Sequence, residues 1–240
     1  MSYQIRRTHD DFYANELSQE PKETFKLIAN LIESYRGQTE GSLKIFDIGC
    51  AAGEFPHYLK GVFPQDEIIG IEYLPELVRV AKSRYPSIEF VQDSILNETA
   101  LKKSQADVIT VVGVISIFDD IEPIVRNLSS WIQENGRIYI HGMFNPFPID
   151  VYVKYSQSNG RKNQILESGW NIVSQATTRE LFIDNGAKEV IFHNFEIGVD
   201  IPPHPSDPVR SWTESLLDGT KQIVNGLHLK QPQYIAEAVF

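Results

Sequence analysis

The eleven residues Leu43-Lys44-Ile45-Phe46-Asp47-Ile48-Gly49-Cys50-Ala51-Ala52-Gly53 constrain this chain more than any other stretch, because an apolar run ends there in an acid and two glycines. Such a run reads as a strand, a tight turn and the start of a helix. Glycine lets backbone N–H groups approach a ligand closely, and a helix N-terminus beyond the turn favours an anionic group. From Leu43 onward strand-like and helix-like segments of similar length alternate. That alternation points to an α/β fold, a parallel sheet covered by helices.

The segments follow from their periodicity. Before the first strand, Phe25, Ile28, Leu31, Ile32 and Tyr35 lie on one face of an expected helix over 21–35. Strands are expected at 43–47, 67–72, 88–91, 107–112 and 137–141. The helices between them are expected at 55–63, 75–84 and 121–133, with a short one over 97–103. Between 145 and 177 the rhythm breaks, with Pro146, Pro148, Gly160 and Gly169 among Tyr152, Tyr155 and Trp170. This reads as an inserted, substrate-facing segment. A helix at 179–185 and a strand at 189–197 follow. The spacing of Trp212, Leu216, Leu217 and Ile223 predicts a helix over 209–224, and a strand at 234–240 closes the chain. One domain over 1–240 is expected, with 1–40 as an N-terminal helical cap and 144–176 as the insertion. Tyr3, Phe12 and Tyr13 in the cap are expected to pack on the body, the alternative being that they fold over a site.

Composition narrows the partners. Of 240 residues 42% are hydrophobic, enough for a sizeable core, and the net charge is −10. An acidic chain has no general attraction to nucleic acid or an anionic bilayer. Cys50 is the only cysteine, which suits a reducing compartment. The first eleven residues lack the apolar segment of a signal peptide, and the run from Val108 to Phe118 is too short to span a bilayer. A cytoplasmic protein acting on a small-molecule substrate is expected, with no nucleic acid, no membrane and no metal.

In open α/β sheets ligands sit beyond the carboxyl ends of the strands. Four such ends stand out. The first carries Asp47, Gly49 and Gly53. A dinucleotide fingerprint needs glycines at 49, 51 and 54, but Ala51 and Glu54 stand there, which weakens a pyrophosphate reading. Glu72 ends the second strand, where a carboxylate can accept hydrogen bonds from a ribose diol. Asp93 with Ser94 follows the third and can accept from an exocyclic amine. After the fourth, residues 112–118, beginning at Val112, form an apolar wall that would flank a flat ring.

Taken in order, these strand ends resemble the class I S-adenosylmethionine-dependent methyltransferases. Residues 46–53 match their first motif, D-x-G-x-G-x-G, with Ala51 in place of the middle glycine. Glu72, Asp93 and residues 107–118 match the acidic and apolar ends of the next three strands. The resemblance implies a Rossmann-like three-layer sandwich whose seven strands run in the order 3-2-1-4-5-7-6, the last antiparallel. It implies S-adenosyl-L-methionine as cofactor and a methyl group passed to a small organic acceptor. Asp47, Gly49, Cys50, Ala51 and Gly53 would meet the methionine part, Glu72 the ribose, and Tyr73, Asp93, Ser94 and Val112 the adenine end.

Methyl transfer is mainly positioning, because the sulfonium is already activated. If the acceptor is a hydroxyl, a general base would help, and His141 at the end of the fifth strand is the best-placed catalytic candidate. Lys154, Arg161 and Lys162 could meet an anionic acceptor, although solvated surface charge explains them as well. Asn145-Pro146-Phe147 is similar to a motif of nucleobase methyltransferases, but that motif follows the fourth strand and this one the fifth. Two alternatives remain open: a nicotinamide-dependent oxidoreductase, and a non-catalytic S-adenosylmethionine-binding module.

Overall fold

The computed structural model describes residues 5–6, 14, 20–98, 101, 105–156, 166–205 and 207–240. After β1 (Ile5–Arg6), α1 (Glu23–Arg36) leads into β2 (Lys44–Ile48), α2 (Glu54–Val62), β3 (Glu67–Glu72), α3 (Pro75–Arg84) and β4 (Glu89–Gln92). Next come β5 (Ala106–Val112), a 3-10 turn (Ile115–Ile117), α4 (Glu122–Trp131) and β6 (Ile132–Asn145). The short β7 (Lys154–Tyr155), β8 (Glu167–Ser168) and β9 (Val173–Ser174) precede α5 (Gln175–Asp184) and β10 (Glu189–Asn194). β11 (Trp212–Ser215), β12 (Lys221–Val224) and β13 (Gln233–Val239) complete the chain.

The main sheet has the order β10-β13-β6-β5-β2-β3-β4. In terms of the seven expected strands this is 3-2-1-4-5-7-6. All neighbours from β4 to β6 are parallel, and β13 runs antiparallel to both β6 and β10. Its inner strands are isoleucine- and valine-rich because both faces are covered. One face packs Ile45, Val108, Tyr139 and Ile235 against α1 and α2. The other packs Phe46, Ile109, Ile138 and Ile140 against Ile124, Leu128 and Trp131 of α4 and Phe182 of α5.

α1 shows why the pattern specifies the packing. Phe25, Ile28, Ala29, Ile32 and Tyr35 recur at helical spacing and are all buried. Phe25 stacks on Phe55 of α2 with ring centroids 4.6 Å apart. Ile28 and Ile32 are wholly buried, each contributing about 1.5–3 kcal/mol. Arg36 in its last turn pairs with Asp66, whose Oδ1 also accepts from the Leu43 N–H at 2.8 Å and so fixes the entry into β2.

Most element ends lie within a few residues of expectation, with α5 starting at Gln175, β10 ending at Asn194 and β6 running on to Asn145, but in three places the kind of element itself differs. The helix expected over 209–224 is a β-hairpin, with Trp212 opposite Val224 and Ser215 opposite Lys221. Apolar spacing suggested a helix, but Asp218-Gly219 is a hairpin turn: Gly219 has φ +83°, and Asp218 accepts from the Thr220 N–H at 2.9 Å. Leu217, counted toward a helical face, is fully exposed at that turn. The helix expected over 121–133 ends at Trp131, and β6 begins at Ile132, its register with β5 shifting before Arg137. Asn135, at φ +66°, takes up that irregularity. Over 97–103, Asn97, Glu98 and Leu101 are not helical, and 99–100 and 102–104 lie outside the described residues.

In the insertion, β7 pairs with β8, β8 with β1, and Val151 bridges Ile172. Of its aromatic residues Phe147 and Tyr152 are exposed, whereas Tyr155 is buried and donates to Glu167 at 2.9 Å. Gly160, Arg161 and Lys162, like Tyr3, Phe12 and Tyr13 of the cap, lie outside the described residues.

Candidate functional site

The turn after β2 is built around three alternate left-handed backbone positions: Gly49 (φ +75°), Ala51 (φ +48°) and Gly53 (φ +87°). At Gly49 a Cβ would overlap a methyl of Val114, so only glycine fits. The N–H groups of Gly49 and Cys50 both donate to the Ile71 carbonyl, at 2.7 and 3.1 Å, which straps the turn to the end of β3.

Ala51, the departure from the glycine pattern, has a physical explanation here. A left-handed alanine is strained by about 1–2 kcal/mol. Its N–H donates to Glu72 Oε2 at 3.0 Å, while Glu72 Oε1 accepts from the Leu74 N–H at 2.9 Å. The Glu72 carboxylate therefore holds the turn and the start of α3 together. A carboxylate has about four acceptor sites, so this role is compatible with accepting a ribose diol as well.

Asp47 lies beneath the turn, 2% exposed, and its Oδ1 accepts from the Thr110 hydroxyl at 2.7 Å. Burial pushes its carboxyl up to about 7, opposed by the Thr110 hydrogen bond and reinforced by the Glu72 charge. Thr110 is the residue that sequence reasoning missed. Its signal was available: a lone hydroxyl in an apolar strand, which the parallel pairing sets directly beside Asp47.

Cys50 turns its side chain away, into a cluster with Val78, Ala81, Ile88 and Phe90. Burial raises its thiol pKa well above the usual value, with Asp47 and Glu72 adding to the effect. Only its backbone is positioned to meet a ligand at the turn.

Just past the end of β3, Tyr73 is 66% exposed. The Asp93 N–H donates to the Glu72 carbonyl at 3.0 Å, which brings the ends of β3 and β4 together. Asp93 Oδ1 accepts from Ser94 N–H at 2.7 Å and from Asn97 Nδ2 at 2.9 Å, shaping its own loop. Next to that loop a cleft of about 260 Å³ is lined by Leu96, Ile117, Phe118, Asp119, Asp120, Pro123 and Ser168. It shares no residue with the turn at 47–53. Its two carboxylates suit a hydrogen-bond donor better than an anion.

Val112 and His141 are paired across β5 and β6, and the Gly113 N–H donates to the His141 carbonyl at 3.0 Å. The pairings place Asp47, Thr110, Val112 and His141 on one face of the sheet. The His141 ring is edge-on to Phe195, centroids 5.3 Å apart. Burial lowers its pKa to about 4, so the ring is neutral near pH 7. Gln233 lies close enough to oppose that shift slightly but completes no hydrogen bond of good geometry with either ring nitrogen. Lys154 pairs with Asp119, and Ser168 Oγ and Asn171 Nδ2 donate to the same carboxylate at 2.7 and 2.9 Å. Lys154 thus ties the insertion to the loop after β5. Among the described residues no group of three histidine, cysteine, aspartate or glutamate side chains could hold a metal, and no helix is long and apolar enough to cross a membrane.

The sheet order and the tight turn after β2 are those of the class I S-adenosylmethionine-dependent methyltransferase fold. A family model described as a methyltransferase domain matches residues 46–138. Among curated proteins, the malonyl-[acyl-carrier protein] O-methyltransferase of Halalkalibacterium halodurans is 28% identical over 142 residues, 57% of this chain and 51% of the relative. The protein of the same name from Bacillus anthracis is 23% identical over 155 residues, covering 64% and 55%. The chain thus spans about half the length of the curated relatives it matches. Among solved structures, the YcgJ protein from Bacillus subtilis superposes with a TM-score of 0.57 at 14% identity, covering 90% of this chain and 97% of that one. An S-adenosylmethionine-dependent methyltransferase from Methanosarcina mazei gives 0.55 at 14% identity, covering 87% and 96%.

Proposed function

We propose that this chain is an enzyme that transfers a methyl group from S-adenosyl-L-methionine to a small organic acceptor, and that it works in the cytoplasm as one domain. The observation that carries the reading is the turn itself. Its left-handed residues and the Glu72 clamp hold a tight turn at the end of β2 in which Gly49 packs against Val114 with no room for a side chain, and the neighbouring strand ends offer acceptors for a ribose and an amine. A pyrophosphate is served poorly there, since two buried carboxylates, Asp47 and Glu72, lie beneath and beside the turn. A cofactor carrying a cationic ammonium and sulfonium meets no such repulsion.

In this reading Gly49, Cys50, Ala51 and Gly53 present backbone to the methionine part, and Asp47 supports the turn from below. Glu72 accepts from the ribose hydroxyls, Asp93 with the Ser94 backbone reads the adenine edge, and Tyr73 and Val112 flank the ring. The cofactor supplies an electrophilic methyl group on sulfur. The chain's own contribution is to fix the acceptor in line with it and to exclude water. The curated relatives carry the name O-methyltransferase, which supports an oxygen acceptor.

Calorimetry with S-adenosylmethionine and with NAD separates this reading from an oxidoreductase. Heat is expected with the first and none with the second; no S-adenosylmethionine binding at millimolar concentration would overturn the proposal. Incubation with methyl-labelled cofactor and a metabolite extract separates an enzyme from a binding module. Label is expected to pass to an acceptor.

A further inference from the structure

Asn171 belongs to the insertion, yet it is wholly buried and spends all of its N–H donors on the loop after β5. Its Nδ2 donates to the Phe118 carbonyl at 2.8 Å and to Asp119 Oδ1 at 2.9 Å, and its backbone N–H donates to the Ser116 carbonyl at 2.9 Å. Its Oδ1 accepts from the Val153 N–H at 2.8 Å, so one residue joins two parts of the insertion to that loop. The residue before it, Trp170, stands at φ +63°, a left-handed position that a bulky side chain rarely adopts. Such a conformation persists only where its surroundings hold it, and the bonds of Asn171 do so here.

The loop that Asn171 holds is the one packed on the glycine turn. The Gly113 N–H donates to the His141 carbonyl at 3.0 Å, which fixes where the loop leaves β5. A Val114 methyl occupies the space that a Cβ at Gly49 would need, and Ile115 stands against Gly142 of β6, where a Cβ would come within 2.8 Å of its methyl. Between Val114 and Asn171 there is little slack. The Ile117 N–H donates to the Val114 carbonyl and the Phe118 N–H to the Ile115 carbonyl, both at 3.2 Å, closing the 3-10 turn. Val114 therefore packs against the turn after β2 at one end of a short hydrogen-bonded unit, and the carbonyls of Ser116 and Phe118 take the Asn171 donors at the other. A close-packed unit of this kind carries a displacement from one end to the other.

We propose that Asn171 is a positioning residue for the cofactor: through the 3-10 turn it sets Val112–Val114 against the turn after β2, so that cofactor binding and docking of the insertion are coupled. This rests on the methyl-transfer reading, in which Val112 flanks the adenine ring. Two states follow from the contacts. In the docked state Asn171 makes its four hydrogen bonds and Trp170 is left-handed; in the released state those bonds go to water and Trp170 returns to an ordinary backbone conformation. A cofactor that meets Val112–Val114 in place favours the docked state. By linkage, the factor by which the cofactor favours docking equals the factor by which docking tightens the cofactor. Lys154 adds to the docked state from the insertion side, pairing with Asp119 and donating to Ser168 Oγ at 2.7 Å. The segment that the sequence marks as substrate-facing is thus held against the loop after β5 when the cofactor is present.

The test uses the full chain and S-adenosylhomocysteine, with hydrogen exchange of the Val153 and Asn171 backbone amides followed by NMR and affinity read by calorimetry. Saturation with S-adenosylhomocysteine is expected to slow exchange at both amides at least about fivefold, and Asn171→Ala is expected to weaken S-adenosylhomocysteine by at least about the same factor. A purely structural role would speed exchange in Asn171→Ala and leave the affinity unchanged. The coupling is overturned if S-adenosylhomocysteine binds the unmodified chain and either change falls short of that factor. Should Asn171→Ala not fold, Lys154→Met loosens the same contacts from the solvent side: binding weaker by at least about twofold is expected, and unchanged affinity overturns the coupling. If S-adenosylhomocysteine does not bind the unmodified chain at all, the methyl-transfer reading itself fails and the coupling goes with it.

Discussion

Replacing Asp47 by asparagine tests how the turn after β2 is held. The carboxyl is buried beneath the turn, and burial raises its pKa from 3.8 to about 7, with the Glu72 charge adding to the shift against the Thr110 hydrogen bond. In the unfolded chain the same group ionises near pH 4. The folded state therefore holds a proton that the unfolded state has released. Its contribution is fully present below about pH 4 and is lost as pH rises through 7. A shift of about three units corresponds to about 4 kcal/mol, lost at about 1.4 kcal/mol per pH unit. Asparagine keeps the oxygen that accepts from Thr110 and resembles the protonated acid, so it removes the cost of charging without removing the bond. Urea denaturation of the cofactor-free protein from pH 4 to pH 9 reads the difference. Asp47→Asn is expected to match the parent near pH 4, to gain stability progressively, and to be about 3–4 kcal/mol more stable above pH 8. Parallel curves for the two proteins would refute the burial argument.

Four further outcomes follow from the same geometry. Glu72→Ala removes the acceptor for Ala51 and Leu74 and is expected to weaken S-adenosylmethionine binding by about 1–3 kcal/mol, measured by calorimetry; unchanged affinity would exclude the ribose contact. Ala51→Gly relieves a left-handed alanine and is expected to raise stability by about 1 kcal/mol in denaturant titration, offset in part by glycine's extra freedom when unfolded. At Asp119, burial raises the pKa, but hydrogen bonds from Lys154, Ser168 and Asn171 outweigh it and bring the value down to about 2. Its contribution is present above pH 4 and lost as pH falls through 2; discounted for exposure it is about 1 kcal/mol, and Asp119→Ala is expected to speed hydrogen exchange in residues 150–156 and 166–172. Leu217→Ser, at the exposed hairpin tip, is expected to change stability by less than about 0.5 kcal/mol, whereas a helix in its place would have made the substitution costly.

The sheet was legible because its strands are buried on both faces and end in distinctive residues. Glu67–Glu72 and Pro75–Arg84 could be bounded from pattern alone, since an acid and a proline punctuate them. The hairpin at 212–224 was not, because four apolar residues fit helical spacing and the Asp-Gly turn was outweighed. At the site, Asp47, Glu72 and Asp93 could be read from their places at strand ends. Glu72's clamp on Ala51 could not, because it depends on a left-handed backbone at a residue other than glycine. Thr110 required strand register, and the packing of the His141 ring against Phe195 required the tertiary fold. Periodicity reports neither.

The antiparallel β13 has one more consequence. The connection from β10 to β13 begins and ends on pairings that β13 makes with both neighbours along its whole length, while the turn after β2 is anchored separately, by Ile71 and Glu72. Its length and sequence can therefore change without moving that turn. The segment is a natural cassette: exchanging residues 195–232 between related chains should leave the sheet order and the turn after β2 as they are in the recipient.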